Sequence, residues 1–521
     1  MNNSVTKFDR IRSSFGFITG PILFIIILVL PTPQNFIDYI QSNFSSLSAS
    51  EISQLSYSMK IVLALLLLMV ILWITEAIPI PATAILPAVI LPLFKVSGVA
   101  GKEIYFFNGK NVLANYANPI IYLFLSGFLI ARAMQKWNLD KRLTYSILSF
   151  KNLANKPKSI VLAMISISAL LSMWISNTAT TAMLLPLIIG IVRITKTTNN
   201  NFAKALALSI AYGASIGGVA TLIGTPPNGI CVSILRTSGM GDINFLDWMK
   251  LGLPITVISI PIVWILLINV FSINQVEIQH GKDFISGLKE NLGSISKGEK
   301  LTLTNFFILL ILWISNPFWE YLLPEKILNQ LTFFDENIIA LSVAILMFFI
   351  PVDWKNRKFV LDWEDSKFID WGTLLLFGGG IALSDAMFKT GLAGWIAKSS
   401  INLIGNANIL LVLVIVIILM ELLTEVTSNT AVTSMMIPIL LSISNGLNID
   451  GKLLALAATF AASMAFMLPV ATPPNAIVYS TGQLKITDML KAGIFLDLCT
   501  WLIIILVLYI FGHLIFGMIN F

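Results

Sequence analysis

Two short polar stretches of nearly the same sequence interrupt long apolar segments, and their side chains could bind small ions. Residues 176–188 read SNTATTAMLLPLI and residues 428–440 read SNTAVTSMMIPIL, which places the two stretches at a constant offset of 252 residues. Hydroxyl and amide groups donate hydrogen bonds to carboxylates and offer oxygen atoms to hard cations. The pattern indicates two related sites for an anion, a cation or both.

A second polar motif, Thr-Pro-Pro-Asn, follows each copy at residues 225–228 and 472–475. Each proline removes a backbone N–H and clashes with the preceding turn, so a helix breaks there. A break exposes N–H groups and a positive dipole end to an anion, and free carbonyls to a cation. Since neither polar motif contains lysine or arginine, a bound anion would be held by amides and dipoles, with a co-bound cation offsetting its charge. The alternative is that these side chains only bond back to their helices or join neighbouring helices, and the doubled pattern argues against it.

Composition defines the class of protein. Of 521 residues, 56% are hydrophobic and 12% are charged, whereas soluble domains carry about 25% charged residues. We therefore predict an all-α polytopic membrane protein whose surface faces the lipid bilayer. The net charge of +6 does not indicate nucleic acid binding, because the basic residues lie in loops between apolar spans. The sequence has no nucleophile–base pair, zinc-ligand spacing or phosphate loop that would indicate an enzyme, and it indicates no cofactor.

The polar motifs must be positioned by two halves of similar order. Two apolar, glycine-containing stretches, 119–134 and 373–388, precede the two motifs, and we predict that each is a re-entrant helical hairpin. The alternative is a single tilted helix. Paired halves with helices broken in the membrane are typical of inverted-repeat transporters. The predicted units are an N-terminal helix and loop (1–58), a first inverted repeat (59–273), a hydrophilic linker (274–302), and a second inverted repeat with a C-terminal helix (303–521).

Loop charges predict the orientation in the membrane. Residues 132–158 hold seven basic residues and one acidic residue, which places this loop in the cytoplasm. With Lys7, Arg10 and Arg12 on the same side, the N-terminus is predicted to be cytoplasmic in a multi-pass protein of the cell membrane.

Three acidic residues next to apolar segments, Glu76, Glu421 and Glu425, are candidates for proton sites. We favour the alternative that they bind backbone groups or a distant base. Gly213 and Gly217 are spaced for close helix packing.

The paired SNT motifs, each followed by a TPPN motif, resemble the divalent anion/sodium symporter family, also called the INDY-type di- and tricarboxylate transporters. The resemblance covers nearly the whole chain. It implies a homodimer with a scaffold domain and an elevator-like transport domain. It also implies a substrate such as succinate, malate, fumarate, 2-oxoglutarate or citrate.

The resemblance also assigns residues. The substrate-binding residues it implies are Ser176, Asn177, Thr178, Thr225, Ser428, Asn429, Thr430 and Thr472. The Na⁺ ligands it implies are Ser172, Ser176, Asn177 and Gly224 at one site and Thr424, Thr427, Asn429 and Ala471 at the other. Ser126 departs from the glycine pair expected at the first hairpin tip.

We therefore predict a secondary active transporter of small dicarboxylates that works by alternating access. The residues fit both Na⁺-coupled symport and dicarboxylate exchange, and Na⁺ is the candidate coupling ion. Citrate or another divalent anion is an alternative substrate, and an anion channel is an alternative mechanism.

Overall fold

The computed structural model describes residues 7–101, 103–150, 156–196, 200–273, 277–278, 281–331, 333–404, 408–447 and 449–512. In these ranges helices dominate, and ten are long and apolar enough to cross a membrane. The prediction of an all-α polytopic membrane protein is therefore confirmed. Parts of the predicted N-terminal unit, linker and C-terminal helix lie outside the described residues, namely 1–6, 274–276, 279–280 and 513–521.

The helices of the first half and the linker are α1 (Lys7–Val29), α2 (Gln34–Asn43), α3 (Ala49–Thr75), α4 (Ile80–Ala84), α5 (Leu86–Leu93), α6 (Gly109–Ala114), α7 (Pro119–Lys136), α8 (Leu139–Leu148), α9 (Pro157–Ser172), α10 (Asn177–Arg193), α11 (Asn201–Val219), α12 (Pro226–Thr237), α13 (Phe245–Val270) and α14 (Gly281–Asn291). Those of the second half are α15 (Lys297–Ser315), α16 (Trp319–Leu322), α17 (Glu325–Leu331), α18 (Glu336–Phe349), α19 (Trp371–Lys389), α20 (Leu392–Ile404), α21 (Ile409–Val426), α22 (Asn429–Leu447), α23 (Gly451–Ala462), α24 (Pro473–Tyr479) and α25 (Ile486–Val507).

Among the described residues, six short strands form three antiparallel pairs outside the long helices. The strands are β1 (Ser97–Ala100), β2 (Glu103–Phe106), β3 (Thr195–Lys196), β4 (Glu277–Ile278), β5 (Pro351–Asp353) and β6 (Lys358–Phe359). They pair as β1 with β2, β3 with β4, and β5 with β6. Because β4 belongs to the predicted linker and pairs with β3, the linker is joined to the segment that follows α10.

The two predicted glycine hairpins are wrong. Helix α7 runs without interruption through 119–134, and α19 does the same through 373–388. In α7, Ser126 donates to the carbonyl of Tyr122 at 2.7 Å, a bond within its own helix. In α19, the glycines allow close packing rather than a turn, since a Cβ on Gly378 would collide with the ring of Tyr116.

The polar breaks occur where the sequence places them. The first separates α9 from α10 at residues 173–176, and its partner separates α21 from α22 at residues 427–428. The two TPPN motifs begin α12 and α24, after non-helical segments 220–225 and 463–472. Proline at the first helical positions explains these starts, because proline fixes the helical φ and needs no N–H partner there.

The first break is the tip of a helical hairpin. Gly213 and Gly217 of α11 contact Ile165 and Ala169 of α9 in the same order along both helices, so α9 and α11 run parallel. The packing predicted for these two glycines is thereby confirmed. Gly218, near the end of α11, faces Asn177 at the start of α10. The short connection between α10 and α11 places the end of α10 beside the beginning of α11, so these two helices are antiparallel. Because α9 is parallel to α11, α9 and α10 are also antiparallel.

The second break has the same form. Thr424 Oγ1, near the end of α21, lies 2.8 Å from the carbonyl oxygen of Ala462 at the end of α23, so these two helices end together. Gly451, at the start of α23, instead packs against Ser444 near the end of α22. Helices α21 and α22 are therefore antiparallel, with the second SNT motif at their tip.

Contacts between the halves show that the two hairpins enter from opposite ends of the helix bundle. At one end, Lys204 at the start of α11 pairs with Asp488 at the start of α25, just after α24, at 3.0 Å. At the other end, Met240, just after α12, packs against Gly451 at the start of α23. The hairpin tips meet between these two ends.

Ion pairs tie the end of α7, where the basic segment 132–158 begins, to the segment before α19. Arg132 pairs with Asp365 at 3.0 Å, and Lys136 pairs with Asp365 at 2.7 Å and with Asp362 at 2.8 Å. Burial acts to raise the pKa of Asp365, but the backbone N–H of Asp362 and the two cations outweigh it and lower that pKa. The end of α7 and the segment before α19 thus lie on the same side of the molecule.

Candidate functional site

The four polar motifs line one cavity of about 700 Å³. Ten of the predicted site residues face it, and they are Ser176, Asn177, Thr178, Gly224, Thr225, Ser428, Asn429, Thr430, Ala471 and Thr472. The three other predicted residues, Ser172, Thr424 and Thr427, lie buried behind this lining. The structure therefore brings together residues that are far apart in the chain.

At the first break, a hydroxyl holds the asparagine of the SNT motif. Ser172 Oγ donates to Asn177 Oδ1 at 2.6 Å, which fixes the amide at the hairpin tip. Ser176 caps α10, since its hydroxyl accepts the N–H of Ala179 at 3.3 Å. A Cβ on Gly218 would lie 2.6 Å from Asn177 Oδ1, so only glycine leaves room for this amide. The amide, hydroxyl and backbone oxygens at this tip are hard-cation ligands by chemistry.

At the second break, the same bond recurs with threonine. Thr424 Oγ1 donates to Asn429 Oδ1 at 2.6 Å and also contacts the Ala462 carbonyl at 2.8 Å. Thr427 Oγ1 donates to the carbonyl of Trp73 at 3.1 Å, which joins this tip to α3. Hydroxyl oxygens that donate in this way keep lone pairs with which to accept a cation.

The asparagines of the two TPPN motifs close the second pair of breaks. Asn228 Nδ2 donates to the carbonyls of Gly218 and Thr221 at 3.0 and 2.7 Å. Asn475 Nδ2 donates to the carbonyls of Ala465 and Leu468 at 3.1 and 3.0 Å. Both asparagines are fully buried, so each amide fixes the path of an unwound segment from inside the protein.

Two of the acidic residues singled out in the sequence have structural partners. Glu425 accepts the N–H groups of Met467 and Leu468, both at 2.9 Å, and so stabilises the segment between α23 and α24. Glu76 pairs with Arg12 at 3.1 Å. These contacts agree with the interpretation of both residues as partners of a backbone group or a distant base.

The position of Glu76 shows which side of the molecule the cavity reaches. This residue lines the cavity and follows the end of α3. Gly16 of α1 contacts Thr75 at that end, so the end of α3 lies beside the beginning of α1. The cavity therefore extends to the side of the molecule on which α1 begins.

The cavity combines polar side chains with a larger apolar surface, and it has no basic residue in its lining, as far as the structure describes it. Serine, threonine and asparagine side chains are joined by two acidic residues, Glu76 and Asp370, and by apolar residues such as Phe128 and Ile223. Helices α10, α12, α22 and α24 begin at the cavity. Their free N–H groups and dipoles favour an anion, and the oxygens beside them favour small cations.

Sequence reasoning missed several residues of the site. The hydrogen-bonding role of Asn228 and Asn475 was visible only as part of a repeated motif, and nothing in the sequence paired them with carbonyls seven and ten residues earlier. Phe128 and Asp370 reach the cavity from α7 and from the start of α19. The repeated motif was the sequence signal that could have identified the two asparagines. No sequence signal marked Phe128 or Asp370.

Comparison with known proteins gives a chain-wide match. Residues 51–518 match the profile of the family described as the sodium:sulfate symporter transmembrane region. The chain is 34% identical over 522 residues to a sodium-dependent dicarboxylate transporter, SdcS, of Staphylococcus saprophyticus, covering 98% of this chain and 93% of that protein. It is 35% identical over 514 residues to the SdcS protein of Staphylococcus aureus strain MRSA252, covering 96% and 92%.

Solved structures with a similar fold are also membrane transporters. The YdaH transporter of Alcanivorax borkumensis superposes with a TM-score of 0.53 at 11% identity, covering 87% of this chain and 98% of that one. MtrF of Neisseria gonorrhoeae superposes with a TM-score of 0.55 at 13% identity, covering 86% and 95%. At these identities the likeness concerns the fold alone.

Proposed function

The chain belongs to the sodium:sulfate symporter family, and from that premise we propose that it carries small dicarboxylates across the cell membrane together with Na⁺. Succinate, malate, fumarate and 2-oxoglutarate are the proposed substrates. The observation that carries this proposal is the convergence of both SNT motifs and both TPPN motifs on one cavity without a basic residue in its described lining. A dianion in such a cavity needs co-bound cations to offset its charge.

Two further facts favour Na⁺ coupling over simple exchange. Each hairpin tip holds an asparagine amide against a hydroxyl at 2.6 Å, so the oxygens of both proposed Na⁺ sites are kept together. Relatives of at least 34% identity are named sodium-dependent dicarboxylate transporters. In our proposal one Na⁺ lies behind each SNT motif, and the substrate carboxylates bind the amides and hydroxyls in front.

The proposal includes an inverted repeat. It is supported by the hairpin α9–α10 and the hairpin α21–α22, which enter from opposite ends of the bundle and meet at the cavity. With the basic loop in the cytoplasm, the N-terminus is cytoplasmic and the cavity faces inward. The homodimer and the elevator-like movement of a transport domain stay predictions from the family resemblance.

The deciding experiment is uptake of radiolabelled succinate and 2-oxoglutarate into proteoliposomes. It is run with and without an inward Na⁺ gradient, and with and without unlabelled dicarboxylate inside. Na⁺-dependent uptake into empty vesicles is the expected result. Uptake that ignores Na⁺ and requires internal dicarboxylate would instead identify an exchanger.

Competition and current measurements separate the remaining alternatives. Unlabelled citrate that competes better than succinate would move the substrate to the tricarboxylates. An anion channel would give currents far above transporter rates and no stimulation by substrate on the opposite side.

A further inference from the structure

Asp497 is a buried acid that the proposed transport site does not use. It lies in the fourth turn of α25, and its exposed fraction is 3%. Among the described residues, neither of its carboxylate oxygens accepts a hydrogen bond of normal geometry, although the backbone N–H of Phe466 lies close enough to interact with it. Buried carboxylates are normally paired or hydrogen-bonded, because an isolated buried charge is strongly unfavourable.

The position of Asp497 places it beside the second break. Gly493, one turn earlier on the same helix, packs against the backbone of Phe466 and Met467, with the Phe466 carbonyl 2.5 Å from the site of a Cβ. Those residues belong to the unwound segment that Glu425 holds through the N–H groups of Met467 and Leu468. Asp497 therefore lies next to the segment that leads to Thr472 and the cavity.

The groups around Asp497 are acidic or neutral. Glu421 and Glu425 face it from α21, and Tyr212 faces it from α11. The other helices packed on α25, namely α13 and α23, carry their titratable residues in their first two turns, away from this position, and those residues are Asp247, Lys250 and Lys452. No basic side chain in the described part of the chain balances the charge of Asp497.

The neighbours of Asp497 already have their own partners. Glu425 accepts two backbone N–H groups as an ionised carboxylate would. Glu421 accepts the indole N–H of Trp501. Thr500 Oγ1, which donates to the backbone carbonyl of Asp497 at 2.9 Å, lies 3.4 Å from the other oxygen of Glu421. Tyr212 donates its hydroxyl to the carbonyl of Phe466 at 2.9 Å. The oxygens that a metal ion beside Asp497 would require already take part in hydrogen bonds, whereas a proton needs only one oxygen of Asp497.

We propose that Asp497 is a proton-binding site beside the second break, and that transport requires it to be protonated. This inference rests on the proposed function and adds a regulating ion to it. When Asp497 loses its proton, a second negative charge joins that of Glu425 next to the segment that leads to Thr472. In a medium of low dielectric constant this charge weakens the binding of a dianion in the adjacent cavity.

Succinate uptake as a function of pH tests the proposal. The full-length protein in proteoliposomes is measured from about pH 7.5 to about pH 9.5, a range in which both succinate carboxyls are already ionised. In the parent protein, the apparent affinity for succinate should fall by about tenfold per pH unit above the midpoint of the Asp497 titration. Asp497→Asn, which mimics the protonated acid, should show a flat profile.

Asp488→Asn is the matched control, because Asp488 lies on the same helix and is paired with Lys204. This variant should keep the pH profile of the parent. A profile that is the same in the parent and in Asp497→Asn would overturn the proposal. An Asp497→Asn variant that changes the Na⁺ concentration for half-maximal uptake, with the pH profile unaltered, would also overturn it and would make Asp497 a cation ligand.

Infrared spectroscopy supplies a readout that does not depend on transport. A protonated buried aspartic acid contributes to the carboxylic C=O band, which other buried acids of the protein share. We therefore expect this band at neutral pH to be weaker in Asp497→Asn and in Asp497→Ser than in the parent. A band that is unchanged in both variants would contradict the proposal. If uptake is absent in every protein while the band behaves as expected, the proposed function fails and the proton site stands.

Discussion

At the first break Ser172 donates to Asn177, and at the second break Thr424 donates to Asn429 over the same distance, 2.6 Å. The TPPN asparagines also make matching pairs of bonds to backbone carbonyls. Beyond this shared frame the two breaks differ in what stabilises them. The first relies on glycine and the second on an acid.

Glycine allows the backbone at the first break to approach closely. A Cβ on Gly218 would meet the Asn177 amide, and one on Gly224 would overlap the carbonyl of Gly218. The corresponding positions of the second half, at an offset of 247 residues, are Ala465 and Ala471. The second half instead places Glu425 against two backbone N–H groups, where the first half has Met173. A duplicated frame can thus keep its ligand geometry while its two copies are stabilised by different means.

The largest effect is expected from removing the asparagine side chain that both breaks share. Asn177→Ala or Asn429→Ala should reduce succinate uptake by about tenfold to about a hundredfold, since each deletes an amide that lines the cavity and would bond a charged group. Uptake in proteoliposomes measures this, with size-exclusion chromatography showing that the variants remain folded. Normal uptake by both variants would refute the assignment of the site.

A methyl group tests the close packing of the first break. Gly224→Ala should raise the Na⁺ concentration for half-maximal uptake by about tenfold, because overpacking by one methyl typically costs about 1–3 kcal/mol. The matched change in the second half, Ala471→Gly, should alter it by less than about twofold. Equal responses of the two variants to Na⁺ would remove the proposed difference between the breaks.

Neutralising the acid tests the second break. Glu425→Gln leaves one acceptor oxygen for two N–H groups, so we expect a loss of about 1–3 kcal/mol in the free energy of unfolding. Met173→Leu, at the equivalent position of the first half, should lose less than about 1.5 kcal/mol. Thermal unfolding of the purified protein in detergent compares the two, and an unchanged unfolding temperature in Glu425→Gln would contradict this role.

The smallest expected effect concerns the two TPPN threonines. Thr472 Oγ1 accepts the N–H of Asn475 at 3.2 Å and caps α24, whereas the side chain of Thr225 makes no such cap bond to α12. Thr472→Ser, which keeps the hydroxyl, is the control for Thr472→Ala. We expect Thr472→Ala to cost about 1 kcal/mol of stability and Thr225→Ala to cost less. Equal losses in unfolding experiments would show that the caps do not differ.

The sequence was sufficient to locate the breaks, because proline and the polar motifs act locally on the helix. It failed for the glycine stretches, since the glycines of α19 serve contacts with Tyr116 and Ser434 that are set by tertiary packing. For the same reason the hairpins were predicted at the glycine stretches, whereas the structure has them at α9–α10 and α21–α22. The isolation of Asp497 could not be predicted either, because it depends on which side chains four other helices bring to it.

The absence of basic residues from the described lining of the cavity has a consequence for the electrical behaviour of the transporter. Each elementary charge that crosses the membrane exchanges about 2.3 kcal/mol with a potential of 100 mV. The described lining offers no lysine or arginine to neutralise the substrate, and the protein's own charges return to their starting positions in each cycle. The net charge moved per cycle is therefore that of substrate plus cations. With two Na⁺ per dicarboxylate the cycle would be indifferent to voltage, and each additional cation would make an inside-negative potential a driving force for uptake.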